Sequence, residues 1–164
     1  MFGTSGIRGP VGDVVTADLA LDVGRAVATD TRTVVVGRDA RTTGAVLADA
    51  LSAGLRECGT DVIRLGVVST PTLARSVEWF DADAGVGITA SHNPAPDNGI
   101  KLWTRSGQSF PPDQTAAIED RLASDVVDHA AWDGFGTETN AAADPSQRHV
   151  DRLVDVFDPG GDQP

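Results

Sequence analysis

Short β-branched runs alternate with amphipathic segments three times between residues 16 and 89. Behind Thr16, which can cap a helix, Leu19, Val23 and Val27 recur at helical spacing. Residues 33–37, Thr-Val-Val-Val-Gly, have the pattern of a buried strand, with Arg38 and Asp39 at its end. Residues 43–57 carry Val46, Leu47, Ala50, Leu51 and Leu55 on one helical face, and Gly59 suits the C-cap. A strand over 61–65 follows. Thr70 and Pro71 then supply an N-cap and a first-turn proline for a helix over 71–80, with Leu73, Val77 and Phe80 facing inward. Residues 84–89 form a third strand, 90–98 a polar loop with two prolines, 99–103 a fourth strand, and 113–124 a helix. Strands that return through helices lie parallel and are covered on both faces. The expected fold is α/β: three α/β/α layers around a mostly parallel, mixed sheet of four strands.

The two ends of the chain read differently. Residues 1–12 are glycine-rich around Thr4-Ser5-Gly6 and suggest a loop with a short strand. Residues 125–146 show little periodicity, and 148–157 suit a helix through Val150, Leu153, Val154 and Phe157. We therefore expect a domain over 1–125, and over 126–164 a linker with the start of a following domain. A chain of 164 residues can build one substantial core, not two.

Charge narrows the function. The net charge is −11, with 12 Arg against one Lys and 20 Asp against 4 Glu. Such a surface would release no counterions from a phosphate backbone, so nucleic acid is not an expected partner. No apolar run nears the ~20 residues that span a bilayer, and the start lacks the pattern of a signal peptide. No membrane partner is expected, and the expected location is cytoplasmic, with the single Cys58 as a buried thiol. The acidic, lysine-poor composition is similar to that of halophilic proteins, where salt screens self-repulsion. The only lysine, Lys101, stands ten residues after Ser91.

Ser91 falls just past the carboxyl end of the third strand, where open parallel sheets bind ligands. A hydrolytic serine would need a base in hydrogen-bond reach. His92 is badly placed for that as the adjacent residue, His129 and His149 lie in the tail, and no Gly-x-Ser-x-Gly elbow occurs. A phosphate-carrying serine would need cations instead, and Arg8 and Lys101 can supply them. The local pattern alone also fits a plain Asn-Pro turn with a capping serine.

Four motifs bear on that choice. Met1-Phe2-Gly3-Thr4-Ser5-Gly6-Ile7-Arg8-Gly9, Val36-Gly37-Arg38-Asp39, Thr89-Ala90-Ser91-His92-Asn93-Pro94 and Asn98-Gly99-Ile100-Lys101 occur in this order. Together they resemble the first, phosphoserine-bearing domain of the α-D-phosphohexomutase superfamily, which includes phosphomannomutases, phosphoglucomutases and phosphoglucosamine mutases. The resemblance covers 1–103 by motif and extends to about 125. It implies a phosphoserine at Ser91, which gives its phosphate to a hexose monophosphate and regains one from the bisphosphate sugar. It implies Mg2+ bound in part through the Ser91 phosphate, with Arg8 and Lys101 steadying the phosphoryl group or moving a proton. His92, Asn93, Thr4 and Ser5 become the expected loop-shaping and phosphate- or substrate-binding residues, while Arg38 and Asp39 are expected in a structural role, paired with each other or with nearby backbone.

The same resemblance sets a limit. The family's other metal ligands come from an Asp-Gly-Asp-x-Asp-Arg loop that this sequence lacks, as it lacks the sugar-contacting loop. The expected object is thus a phosphohexomutase fragment, an intramolecular phosphotransferase with little turnover alone, for which mannose, glucose and glucosamine phosphates all remain open. The alternative is a non-catalytic module of the same fold that binds a sugar phosphate or a partner. A homodimer through 148–157 is the expected form of self-association.

Overall fold

A computed structural model describes residues 3, 6–124 and 126–157. Five helices and six strands follow along it: β1 (Ile7–Pro10), α1 (Ala17–Ala28), β2 (Thr33–Arg38), α2 (Gly44–Glu57), β3 (Asp61–Val67), α3 (Thr70–Trp79), β4 (Ala84–Ile88), β5 (Asp97–Thr104), α4 (Pro112–Ser124), β6 (Glu138–Asn140) and α5 (Asp144–Phe157). They form one sheet in the order β1-β5-β4-β2-β3-β6. The four strands β4, β2, β3 and β6 run parallel, while β5 is antiparallel to both β4 and β1.

The alternating side chains of β2 divide the core. Val34 and Val36 enter a cluster with Val23 of α1 and Leu47 and Leu51 of α2, to which Ile118 of α4 adds. Val35 enters the opposite cluster, with Leu73 and Val77 of α3 and Trp103 of β5. A strand covered on both faces needs apolar residues at successive positions, which is why the run reads Val-Val-Val. Each such valine, withdrawn from water, contributes roughly 1.5–3 kcal/mol.

Helix ends follow local chemistry. Thr16 Oγ1 accepts a hydrogen bond from the Leu19 N–H at 3.1 Å, the expected cap of α1. For α3 the cap is Ser69 rather than the expected Thr70: Ser69 Oγ accepts from the Thr72 N–H at 3.3 Å. Both positions carry a capping hydroxyl, so composition alone does not choose between them. After α2 the chain reverses at Gly59, which adopts φ +90° as a C-cap glycine does.

The sheet has six strands rather than the expected four. β1 is the short strand anticipated near the start, and it pairs along the edge of β5. β6 carries no sequence signal: Glu138, Thr139 and Asn140 are all exposed, and an edge strand with two wet faces shows no apolar alternation. Its attachment is polar. Asp61 Oδ1 accepts from both the N–H and the hydroxyl of Thr137 at 2.7 Å, while Gly136 N–H donates to Arg56 O at 2.8 Å. The Thr137 bonds, backbone first, hold the Asp61 carboxyl below its usual 3.8. α5 lies against α3, where the Arg148 guanidinium sits 5.0 Å from the Trp79 ring centroid. Among the described residues no helix is long and apolar enough to cross a membrane.

Candidate active site around Ser91

The parallel strands β2 and β4 end side by side, and their carboxyl ends place Asp39 and the Ser91 loop together. Thr89 follows β4 and joins them. Its hydroxyl donates to Asp39 Oδ2 at 2.8 Å and accepts from the Ser91 N–H at 3.1 Å. Ser91 itself adopts φ +55°, a left-handed conformation that costs a residue with a Cβ roughly 1–2 kcal/mol. The surrounding bonds must offset that cost.

β5 delivers the cation. Its residues Asn98 to Lys101 lie between β4 and β1, and Lys101 Nζ donates to Ser91 Oγ at 3.1 Å. Burial, and then the charge of Arg8, push the Lys101 ammonium below its usual 10.5. Arg8 stands opposite Gly99 on β1, and its Nη1 donates to Asn93 Oδ1 at 3.1 Å. Asn93 Nδ2 in turn donates to Asp97 Oδ2 at 2.9 Å. The Nε of Arg8 is buried without a hydrogen-bond partner, an N–H left for an acceptor that the described residues do not supply.

Two glycines permit this close packing. A Cβ on Gly99 would lie 2.6 Å from Ile7 O and 2.8 Å from Thr89 O, so any side chain would part β5 from its neighbours. Gly6 has φ +86°, and its Cβ would meet Ile100 O at 2.3 Å. Gly6 of the first motif thus lies directly against the strand that carries Lys101.

Of the site residues expected from sequence, Ser91, Arg8, Lys101 and Asn93 come together. His92 stays exposed beside them, with no hydrogen bond among the described residues. Thr4 and Ser5 lie outside the described residues. Of the two expected arrangements, Arg38 and Asp39 adopt the bonds to nearby backbone and not a side-chain ion pair with each other. Arg38 Nη1 donates to the backbone oxygen of Asp39 at 3.1 Å, and the Asp39 carboxylate turns to Thr89 and Arg41. Arg41 is the residue that the sequence does not disclose. Its Nε meets Asp39 Oδ2 at 3.1 Å, and its two terminal nitrogens donate to four carbonyls of the Ser91 loop. The one available hint is its place in Arg38-Asp39-Ala40-Arg41, a charged run just past a strand end.

The Ser91 hydroxyl therefore faces an ammonium group rather than an imidazole base. A cavity of about 330 Å3 opens beside it, lined in part by Arg38, Ser69, Thr70 and Trp103. A second, of about 550 Å3, shares Thr70 and Trp103 and takes in Gly6 and Lys101. The capped start of α3 opens here and adds the positive end of its dipole. The arrangement suits an anion next to Ser91. It does not by itself suit a divalent cation, which takes several oxygen ligands. The loop carboxylates Asp39 and Asp97 are engaged by Thr89, Arg41 and Asn93. No three His, Cys, Asp or Glu side chains among the described residues are grouped to hold a metal.

Fold and site together define an α/β/α domain that presents a cation-backed serine at the carboxyl edge of its sheet. Residues 1–126 match the model of phosphoglucomutase/phosphomannomutase, alpha/beta/alpha domain I, and the chain belongs to that family. A probable phosphoglucosamine mutase of Methanococcoides burtonii is 46% identical over 154 residues, which cover 94% of this chain and 35% of the relative. One from Methanothermobacter thermautotrophicus is 45% identical, over 97% of this chain and 36% of its own. Among solved structures, a phosphoglucomutase/phosphomannomutase family protein from Burkholderia thailandensis superposes with a TM-score of 0.79 at 30% identity, over 94% of this chain and 35% of that one. The chain thus spans about a third of the length of the relatives it matches.

Proposed function

We propose that this chain is the phosphoryl-carrying domain of a phosphohexomutase, with Ser91 as the carrier. The observation that supports this most is the Lys101 ammonium 3.1 Å from Ser91 Oγ, beside the buried and unpartnered Nε of Arg8. A phosphoryl group in transfer spreads negative charge over its oxygens, and fixed cations lower its energy. In the step envisaged, a hydroxyl oxygen of a hexose 6-phosphate bonds to phosphorus and the bond from phosphorus to Ser91 Oγ breaks. The proton of the sugar hydroxyl passes on, so that Ser91 leaves as a neutral alcohol. The bisphosphate sugar then turns round and returns its other phosphate to Ser91, leaving a hexose 1-phosphate. Lys101, held below its usual pKa by burial and by Arg8, suits the proton's passage.

On this reading residues 1–125 carry the phosphoserine site, and 126–164 add β6 to the edge of the same sheet and lead on toward further chain. Mg2+ would bind through the Ser91 phosphate with ligands that the described residues do not provide. His92 and Asn93, with Thr4 and Ser5, would meet phosphate or sugar. The names of the sequence relatives favour glucosamine phosphate among the sugars. The setting would be cytoplasmic, and the exposed Val150, Val154 and Phe157 of α5 would carry any self-association.

The test is the intact mass of the chain after incubation with glucose 1,6-bisphosphate, with the remaining domains of the M. thermautotrophicus relative supplied in trans. One added phosphate, lost in Ser91→Ala, is the expected result. Addition that survives Ser91→Ala would overturn the assignment, and no addition at all would favour a binding module. The chain on its own should show little mutase turnover.

A further inference from the structure

The loop that carries Ser91 has almost nothing of its own to hold it. Ser91, His92, Pro94, Ala95 and Pro96 are exposed, and its internal links are two turn bonds, Asn93 N–H to Ala90 O and Asp97 N–H to Pro94 O at 3.1 Å, and the bond from Asn93 Nδ2 to Asp97 Oδ2. Such a loop would sample many shapes. Yet Ser91 is held with a left-handed backbone and its hydroxyl against Lys101.

Arg41 accounts for this. An arginine side chain has five N–H donors in a rigid fork, and here four are used on the loop and the fifth on Asp39 beside it. Nη1 donates to Pro94 O at 2.7 Å and to Asp97 O at 3.0 Å. Nη2 donates to Ser91 O at 3.1 Å and to Asn93 O at 2.8 Å. Nε donates to Asp39 Oδ2 at 3.1 Å. The same Asp39 oxygen accepts the Thr89 hydroxyl, whose oxygen accepts the Ser91 N–H. Both peptide units that flank Ser91 are therefore pinned, the following one directly by Arg41 and the preceding one through Asp39 and Thr89. The Arg41 backbone N–H also donates to Asp39 Oδ1 at 3.1 Å, which fixes the carboxylate from the other side.

We propose that Arg41 is the positioning residue of the Ser91 loop: it holds the serine in the one conformation that meets Lys101. This deepens the proposed function, resting on Ser91 as phosphoryl carrier. Because every Arg41 donor is spent on the loop and on Asp39, Arg41 does not bind the phosphoryl group. Its part differs from that of Arg8, whose Nε is unpartnered. Lysine cannot replace it, since three donors at one point do not span four carbonyls.

Lys101 is the only lysine, so labelling lysine with 13C at Cε gives a single side-chain methylene signal. In the wild-type chain we expect a nuclear Overhauser contact between the Lys101 Hε and Ser91 Hβ protons. In Arg41→Lys and Arg41→Ala that contact should vanish, and amides of 91–97 should exchange about tenfold faster or more, while those of α1 and β2 stay protected. Millimolar guanidinium should restore part of the protection in Arg41→Ala. If that variant does not fold, Arg41→Lys carries the test. Retention of the contact with unchanged exchange would overturn the proposal, and so would a loss of protection spread evenly through the domain.

A second arm separates this from the proposed function. Phosphate uptake on Ser91 from glucose 1,6-bisphosphate, with the same domains in trans, should be about 100-fold slower in Arg41→Lys, as expected for a reacting atom misplaced by about 1 Å. The half-saturating donor concentration should change little. Equal rates would overturn the positioning role and leave the carrier role standing. No uptake by wild type, together with the loop effects above, would remove the carrier role and leave Arg41 as the loop's anchor.

Discussion

Thr89 is the narrowest joint in the site. One hydroxyl oxygen connects the Asp39 carboxylate to the Ser91 N–H, giving in one direction and accepting in the other. Valine has nearly the same shape and neither capacity. Thr89→Val should leave the Asp39 oxygen and the Ser91 N–H each short of a partner, in a place where Thr89 is buried. Removing one partner of a buried hydrogen bond costs about 1–3 kcal/mol, and a denaturant titration should show a loss of that order. The same swap at half-buried Thr115, whose hydroxyl only donates back to Pro111 O, should cost much less. Equal costs at the two positions would show that the Thr89 bridge does not support the loop. Arg8, Ser91 and Lys101 could be picked out because the motifs that carry them resemble those of a known family; residue type and local pattern alone also fitted a capping serine. Arg41 could not, because its partners are main-chain carbonyls, which every residue has.

At the scale of elements, the sheet divides into a buried interior and a polar edge. β2 and β4 were legible because strands covered on both faces must be apolar. β6 was not, because its pairing with β3 rests on backbone bonds and on the Asp61 to Thr137 contact rather than on burial. That contact gives the edge a pH dependence. The folded state holds the Asp61 carboxyl below 3.8, so its contribution is complete above the ordinary value and is lost as pH falls through the lower, folded value. Amide protection across β3 and β6 should therefore exceed that of Asp61→Asn near neutral pH, and the difference should close as the solution is acidified below about 3.8. A difference that persists unchanged at low pH would mean that the carboxylate is not what holds β6.

Over the whole molecule, charge is distributed against function. The chain carries −11 overall, yet Arg8, Arg38, Arg41 and Lys101 gather around one serine. The excess of aspartate must then lie elsewhere and repel itself. Raising salt from 0.1 to 1 M shortens the screening distance from about 10 to about 3 Å, which should weaken that repulsion and leave the buried core untouched. The thermal midpoint should accordingly rise over this range in KCl. An unchanged or lower midpoint would mean that self-repulsion does not limit this domain.

The order of apolar runs was enough to determine the layered α/β/α plan, since burial imposes a period on each element and helices between strands make them parallel. It was also enough to mark Ser91, through the company the serine keeps. Tertiary structure alone decided which groups touch it. Arg41 reaches Ser91 across 50 positions of chain because β2 and β4 end together, and β6 reaches β3 from beyond α4. Contacts made to the main chain leave no trace in residue type; they exist once the strands are side by side.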